Sequence, residues 1–319
     1  MRGIWIISIL FILFTKLGAQ QDVLFTQFAY DKLGFNPGYA GAHEHISLNA
    51  IYRNQWLGLE GSPVRFSASL NFPSLDQKLG LGLHIDKSDI AIFGRNSIQG
   101  IYSYRIPMGS GSLAFGLNTS IRQFKADWSD PKLRPPNGWA NDPAVDPNLY
   151  TKMIFNLGAG LYFRQEGFYA GVSVPRISKA DIDFDDNNLD TLVAVESRLI
   201  YLMGGGRFDV NSNLELSPQL LLTIPEVGIM QYELSIIGIL ANKFHIGANY
   251  SSGGSSESPV ESIDLILGLQ ASNQMFFGLS YDITMSELRE VSNGTIELIA
   301  NYRFNKKNKA NIIINPRYY

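Results

Sequence analysis

The 319-residue chain contains no cysteine and only 4 histidines. Disulfide bonds and thiol chemistry are therefore excluded, and little material remains for a zinc site. Charged residues make up 17% and the net charge is −3, which provides no basic field of the kind nucleic acid requires. Beyond the first residues no run of about 18 apolar residues occurs, so no later segment is suited to cross a bilayer as a helix.

The N-terminus is different. Met1-Arg2 precedes an apolar run from Ile4 to Phe14, followed by Leu17-Gly18-Ala19. A charged start, an apolar stretch and small residues before Gln20 have the form of a cleavable export signal over residues 1–19. The run is short for a membrane anchor, and the absence of a following cysteine excludes lipoprotein anchoring.

From residue 45 to 304 the chain alternates apolar and polar residues. Leu79, Leu81, Leu83 and Ile85 alternate with Gly80, Gly82, His84 and Asp86. Fourteen such segments are read near 45–56, 63–72, 79–87, 96–106, 112–123, 153–164, 167–175, 198–209, 214–224, 229–240, 243–250, 262–270, 274–282 and 294–304. The register of 198–209 is blurred by Gly204-Gly205-Gly206.

Soluble sandwiches also alternate. Here, however, many segments have the length of about 9–12 residues that a tilted strand needs to cross lipid. Aromatics sit near both strand ends: Tyr52, Phe66, Tyr232, Tyr250 and Tyr281 at one rim, and Phe72, Tyr104, Phe168, Phe244 and Tyr302 at the other. Connections after even-numbered strands are tight, whereas those after strands 3, 5, 7, 11 and 13 are long. These features predict an all-β fold: a transmembrane antiparallel β-barrel of about 14 strands, with short periplasmic turns and long extracellular loops. Residues 20–44 are then expected as a periplasmic N-terminal segment, and 305–319 as a periplasmic C-terminal tail.

Arg53 and Arg65 lie on the polar parity of their strands, and lipid cannot accept an unpaired arginine. The polar face is therefore the lumen. Arg53, Arg65, Arg105, Arg122 and Arg164 fall in the first six strands, whereas Glu215, Glu233, Asp264, Asp282 and Glu297 fall in strands 9 to 14. Closure would bring Glu297 towards Arg53. A cross-lumen network near the extracellular rim is expected, with Arg53, Arg65 and Arg122 against Glu233, Asp264, Asp282 and Glu297. It would either select ions or hold the barrel shut; mutual neutralisation in a narrow lumen favours the latter. Lumen glycines, Gly80, Gly116 and Gly160 among them, suit a filled interior.

Catalytic and metal-binding patterns are weak. His43-Glu44-His45 has no third ligand nearby, and Asp181-Ile182-Asp183-Phe184-Asp185-Asp186 lacks the glycine and closing glutamate of a calcium loop. No cofactor, no metal and no enzymatic activity are expected.

"QDVLFTQFAYDKLGFNPGYAG" (residues 21–41), "YRNQWLGLEGSP" (52–63), "FSASLNFP" (66–73), "FYAGVSVPRI" (168–177) and "LSPQLLL" (216–222) resemble the PorP/SprF family of Bacteroidetes outer-membrane proteins. The closing "NPRYY" is also similar. The resemblance implies an accessory barrel of the type IX secretion system. Such a barrel would support secretion or surface anchoring of a partner protein bearing a type B C-terminal sorting domain, gliding adhesins among them. It also implies contact with periplasmic components of the secretion or gliding machinery. Partner contact is expected at loops 124–152 and 176–197, where Trp128, Trp139 and Tyr150 offer aromatic anchors or pack on their own loop. The basic, then apolar, tail could plug the lumen or bind a machine subunit. A solute porin is the alternative on the same fold.

Overall fold

The computed structural model describes residues 26, 28–43, 45–74, 78–128, 149–182, 195–252 and 260–304. The expected signal peptide and the tail 305–319 lie outside the described residues.

The barrel strands are β1 (Ser47–Asn54), β2 (Val64–Pro73), β3 (Leu79–Ile90), β4 (Phe93–Met108), β5 (Gly111–Asp127), β6 (Leu149–Gln165) and β7 (Phe168–Arg176). They continue as β8 (Leu199–Gly206, resuming at Phe208–Asn211), β9 (Leu214–Pro225), β10 (Gln231–Leu240), β11 (Phe244–Ser252), β12 (Val260–Gln270), β13 (Met275–Thr284) and β14 (Thr295–Arg303). Each strand pairs with its chain neighbour. β1 also pairs antiparallel with β14, Arg53 opposite Glu297 and Ser47 opposite Arg303. The sheet is thus a closed 14-stranded antiparallel barrel.

The inside-out character follows from the alternation. In β13 Phe277, Leu279, Tyr281 and Ile283 are exposed, while Phe276, Ser280 and Asp282 are buried. Tyr52, Phe66 and Tyr281 point outward at the long-loop rim, where Tyr232 stacks on Tyr250 at 5.9 Å.

Some expected boundaries shift. The connection after the third strand is not a long loop, because β3 and β4 run on to a two-residue turn at Ala91-Ile92. Polar residues such as Lys87, Asp89 and Asn96 keep the ladder paired after lipid contact has ended. β4 and β5, at 16 and 17 residues, exceed the roughly 9–11 that a crossing needs. The expected strand 198–209 is interrupted at Arg207, whose guanidinium turns to Glu215. A two-residue ribbon joins Ala180–Asp181 to Val195–Glu196 and returns Glu196 to the barrel.

A larger correction concerns the N-terminal segment. Its described residues run inside the barrel, not beside it. Phe28, Tyr30, Leu33, Tyr39 and Ala40 are almost completely buried. Their apolar side chains have no strand-like period, and the barrel interior is what removes them from water.

Leu265 lies mid-strand on the lipid face of β12, and Ile283 lies near the end of β13. Leu265→Arg should cost about 2–4 kcal/mol of folding free energy in lipid vesicles, and Ile283→Arg no more than about 1 kcal/mol. Denaturant titration of the vesicle-folded protein measures both.

Candidate functional site

Asn36-Pro37-Gly38-Tyr39 folds by local rules. Proline opens a short 3-10 turn over Pro37–Tyr39, and Asn36 caps it by accepting from the Gly38 amide at 2.8 Å. The Asn36 amide group also donates to the Leu161 carbonyl of β6 at 2.9 Å. The turn can approach the wall because the wall is glycine there. A Cβ on Gly116 would collide with the Gly38 amide, one on Gly80 with the Ala40 carbonyl, and one on Gly160 with the Asn36 side chain.

Lumen side chains meet the segment's main chain. Ser103 donates to the Ala40 carbonyl at 2.6 Å, and Arg105 donates to the same oxygen at 3.3 Å. Arg164 donates to the Ala42 carbonyl. Ser173 donates to the Phe35 carbonyl at 2.6 Å, and Asn71 accepts from the Gly41 amide at 2.6 Å. Ser69 donates to Asp31 at 2.7 Å.

Aromatic contacts fill the remaining space. Tyr30 stacks on Phe276 at 4.8 Å, and its hydroxyl lies 3.1 Å from His245 Nδ1. Phe35 meets Tyr201 edge-on at 5.3 Å, as Tyr39 does Tyr162. The Lys32 amine donates to the Ala29 carbonyl and sits 4.7 Å from the Tyr169 ring centre, a cation–π arrangement.

The segment traverses the lumen lengthwise. Gly41 and Ala42 lie beside Asn71, Gly80 and Arg164, close to the tight-turn rim. Thr26 lies beside the opposite ends of β1, β13 and β14. Its hydroxyl donates to Asp282 at 3.1 Å and accepts from Arg53 at 2.8 Å, while its amide donates to Glu297 at 3.1 Å.

Arg53 bridges Asp282 at 2.7 Å and Glu297 at 2.9 Å. The other charges do not join a single cross-lumen network. Arg65 pairs with Asp86 on the adjacent strand at 2.6 Å, and Arg95 reaches the same carboxylate at 3.4 Å. Arg122 pairs with Glu196, which Arg176 approaches at 3.8 Å. Glu233 accepts from Asn249 and Ser251, and Asp264 accepts from Asn249 at 2.8 Å. The N-terminal segment separates the two walls, so most charges are met by near neighbours on their own side.

The loop aromatics are not brought together. Trp128 meets Phe93 edge-on at 6.4 Å, Tyr150 lies in β6 opposite Ala126, and Trp139 falls outside the described residues. His43 is engaged by the Tyr39 hydroxyl. Among the described residues no group of three or more His, Asp or Glu side chains could hold a metal ion. At the base of the long loop Lys179 donates to Glu226 at 2.6 Å. That hydrogen bond holds the exposed Glu226 carboxyl below its ordinary range, with further help from Arg198.

Sequence reasoning missed Thr26, Asn36, Arg95, Arg176 and Glu196. Only Asn36 had a local signal: a capping side chain followed by proline and glycine inside a supposedly irregular segment.

Several solved outer-membrane barrels are similar. The "CymD monoaromatic hydrocarbon channel" aligns with a TM-score of 0.52 at 12% identity, over 92% of this chain and 96% of that one. "Acinetobacter baumannii outer membrane protein Omp33" gives 0.48 at 8% identity, over 82% and 98%. A Pseudomonas aeruginosa FadL homologue gives 0.47 at 11% identity, over 86% and 94%. At these identities the likeness is one of fold. No curated protein matches the sequence. A family model described as "Type IX secretion system membrane protein PorP/SprF" matches residues 17–302, nearly the whole chain. The protein belongs to the PorP/SprF family of type IX secretion system membrane proteins.

Proposed function

We propose that this barrel is a sealed outer-membrane adaptor of type IX secretion, not a conduit for the exported protein. The observation that carries the reading is the lumen-filling segment, fixed through its main chain by Ser103, Arg105, Arg164, Ser173 and Asn71. A folded cargo has no path through a barrel of this strand number whose lumen is already occupied. The barrel's work is then done at its two rims.

In outer-membrane barrels the tight turns are periplasmic and the long loops face outward. That assignment supports placing loops 124–152 and 176–197 at the surface, with Trp128, Trp139 and Tyr150 as anchors for a partner bearing a type B C-terminal sorting domain. Gliding adhesins are one such class of partner. The tail 305–319 would meet periplasmic machinery. Export by a cleaved signal over 1–19 belongs to the same proposal. Thr26, bound beside Arg53 and Glu297, then lies towards the surface.

In a planar bilayer the wild-type protein should be electrically silent, whereas Gly116→Val, which drives a side chain into the Gly38 amide, should conduct. A steady wild-type current would instead favour a solute channel. Deleting residues 306–319 should abolish surface display of the partner while the barrel still inserts; unchanged display would remove the tail from the docking scheme. An epitope inserted between Gln21 and Asp22 should be reached by antibody on intact cells, and labelling only after permeabilisation would reverse the assigned direction.

A further inference from the structure

Acidic side chains gather at the long-loop end of the lumen with little to balance them. Glu233 of β10, Glu261 and Asp264 of β12 and Asp282 of β13 all lie close to their strand ends at that rim. Asp264 stands directly opposite Asp282 across β12 and β13, a placement in which like charges repel. The Asn249 amide nitrogen donates to Glu233 at 2.5 Å and to Asp264 at 2.8 Å, so these two carboxylates are close as well. Among the described residues Arg53 is the only cation in ion-pair contact with these four acids, and it bridges to Asp282. Its field also reaches Glu261 and Asp264. Even with Glu297, its second partner, left out of the count, four carboxylates face one guanidinium. Three negative charges are then uncompensated when all four acids are ionised.

A second, independent observation comes from the neutral groups between the acids. The hydroxyls of Ser235 and Ser280 meet no other protein group, although these residues are 4% and 0% exposed. Ser235 follows Glu233 on the same face of β10 and stands opposite Asn249. Ser280 precedes Asp282 on the same face of β13 and stands opposite Glu297. Asn249 Oδ1 and Asp264 Oδ1, also buried, meet no donor. A buried polar atom without a partner is costly, and four of them beside the acids mark a polar ligand. Net negative charge makes that ligand a cation, and a lining of oxygen atoms makes it a hard one. Among the described residues no three acids converge on one point, which selects further. A magnesium-type ion keeps several waters and needs only one or two carboxylates. Its retained water can then bridge to hydroxyl and amide oxygens.

We propose that the long-loop end of the lumen binds one hydrated divalent cation. Asp264 and Glu233 hold it directly, and its water reaches Asn249, Ser235 and Ser280.

The test is the midpoint of heat-dependent gel mobility of the full-length protein in detergent. It is measured in chelator with sodium chloride, and in magnesium chloride or calcium chloride at matched ionic strength. A saturable upward shift of about 5–10 °C with either dication is expected for wild type. Asp264→Asn should lose the shift, and in chelator it should melt above wild type because a repelling charge is gone. Ser280→Ala removes no charge and should raise the dication concentration at half-shift severalfold; it decides the matter where Asp264→Asn fails to fold. A wild-type midpoint that is the same in chelator and in both dications overturns the proposal and leaves protons to neutralise the acids. A full shift retained in both folded variants also overturns it, by placing the ion elsewhere.

Discussion

A chain segment that lies inside a barrel without joining its sheet carries main-chain donors and acceptors that neither water nor a ladder will meet. Much of this interior answers that constraint. The carbonyls of Phe35, Ala40 and Ala42 and the amide of Gly41 are each met by a lumen side chain. The wall supplies glycine where the backbone comes closest, at Gly80 and Gly116. Arg105 and Arg164, which read simply as lumen charges, act as donors to peptide carbonyls. Polar wall and apolar segment are complementary: the wall satisfies the main chain, and aromatic contacts such as Tyr30 on Phe276 cover the side chains.

The same occupant determines the electrostatics. An arginine with an empty lumen before it could reach across to the far wall. With the N-terminal segment in between, Arg65 is answered by Asp86 on the neighbouring strand, and Arg122 by Glu196 from the incoming loop. Arg53 finds Asp282 and Glu297 because the β1–β14 seam places them together. A buried ion pair contributes little net stability, but losing one member leaves a charge stranded. Pairing near neighbours keeps each of these charges compensated without depending on the far wall.

How much of this was legible in sequence follows from the range of each interaction. Strand number, facing and the approach of Glu297 to Arg53 follow from a period of two and from closure of an even-stranded sheet. Strand ends were less legible, because Lys87 and Asn96 continue the ladder after the lipid that enforces alternation has gone. The N-terminal segment was illegible as a lumen element. It has no period, and its partners Ser103, Arg164 and Ser173 lie 63 to 138 residues away in sequence. Glu196 was hidden for a related reason, since a two-residue ribbon with Ala180–Asp181 returns it from a long loop.

The lengthwise course of the N-terminal segment also constrains assembly. β1 starts at the rim where Gly41 and Ala42 are held, while Thr26 is bound at the other rim. The first and last strands form the seam that completes the cylinder. If that seam closed first, some eighteen residues would have to be threaded through a narrow, charged bore. Closing the seam around a segment already laid along the inner wall avoids that passage. The stopper is then built in during insertion, and withdrawing it means sliding a polypeptide lengthwise against every contact it makes. Opening would therefore be a kinetic problem even where the equilibrium allowed it.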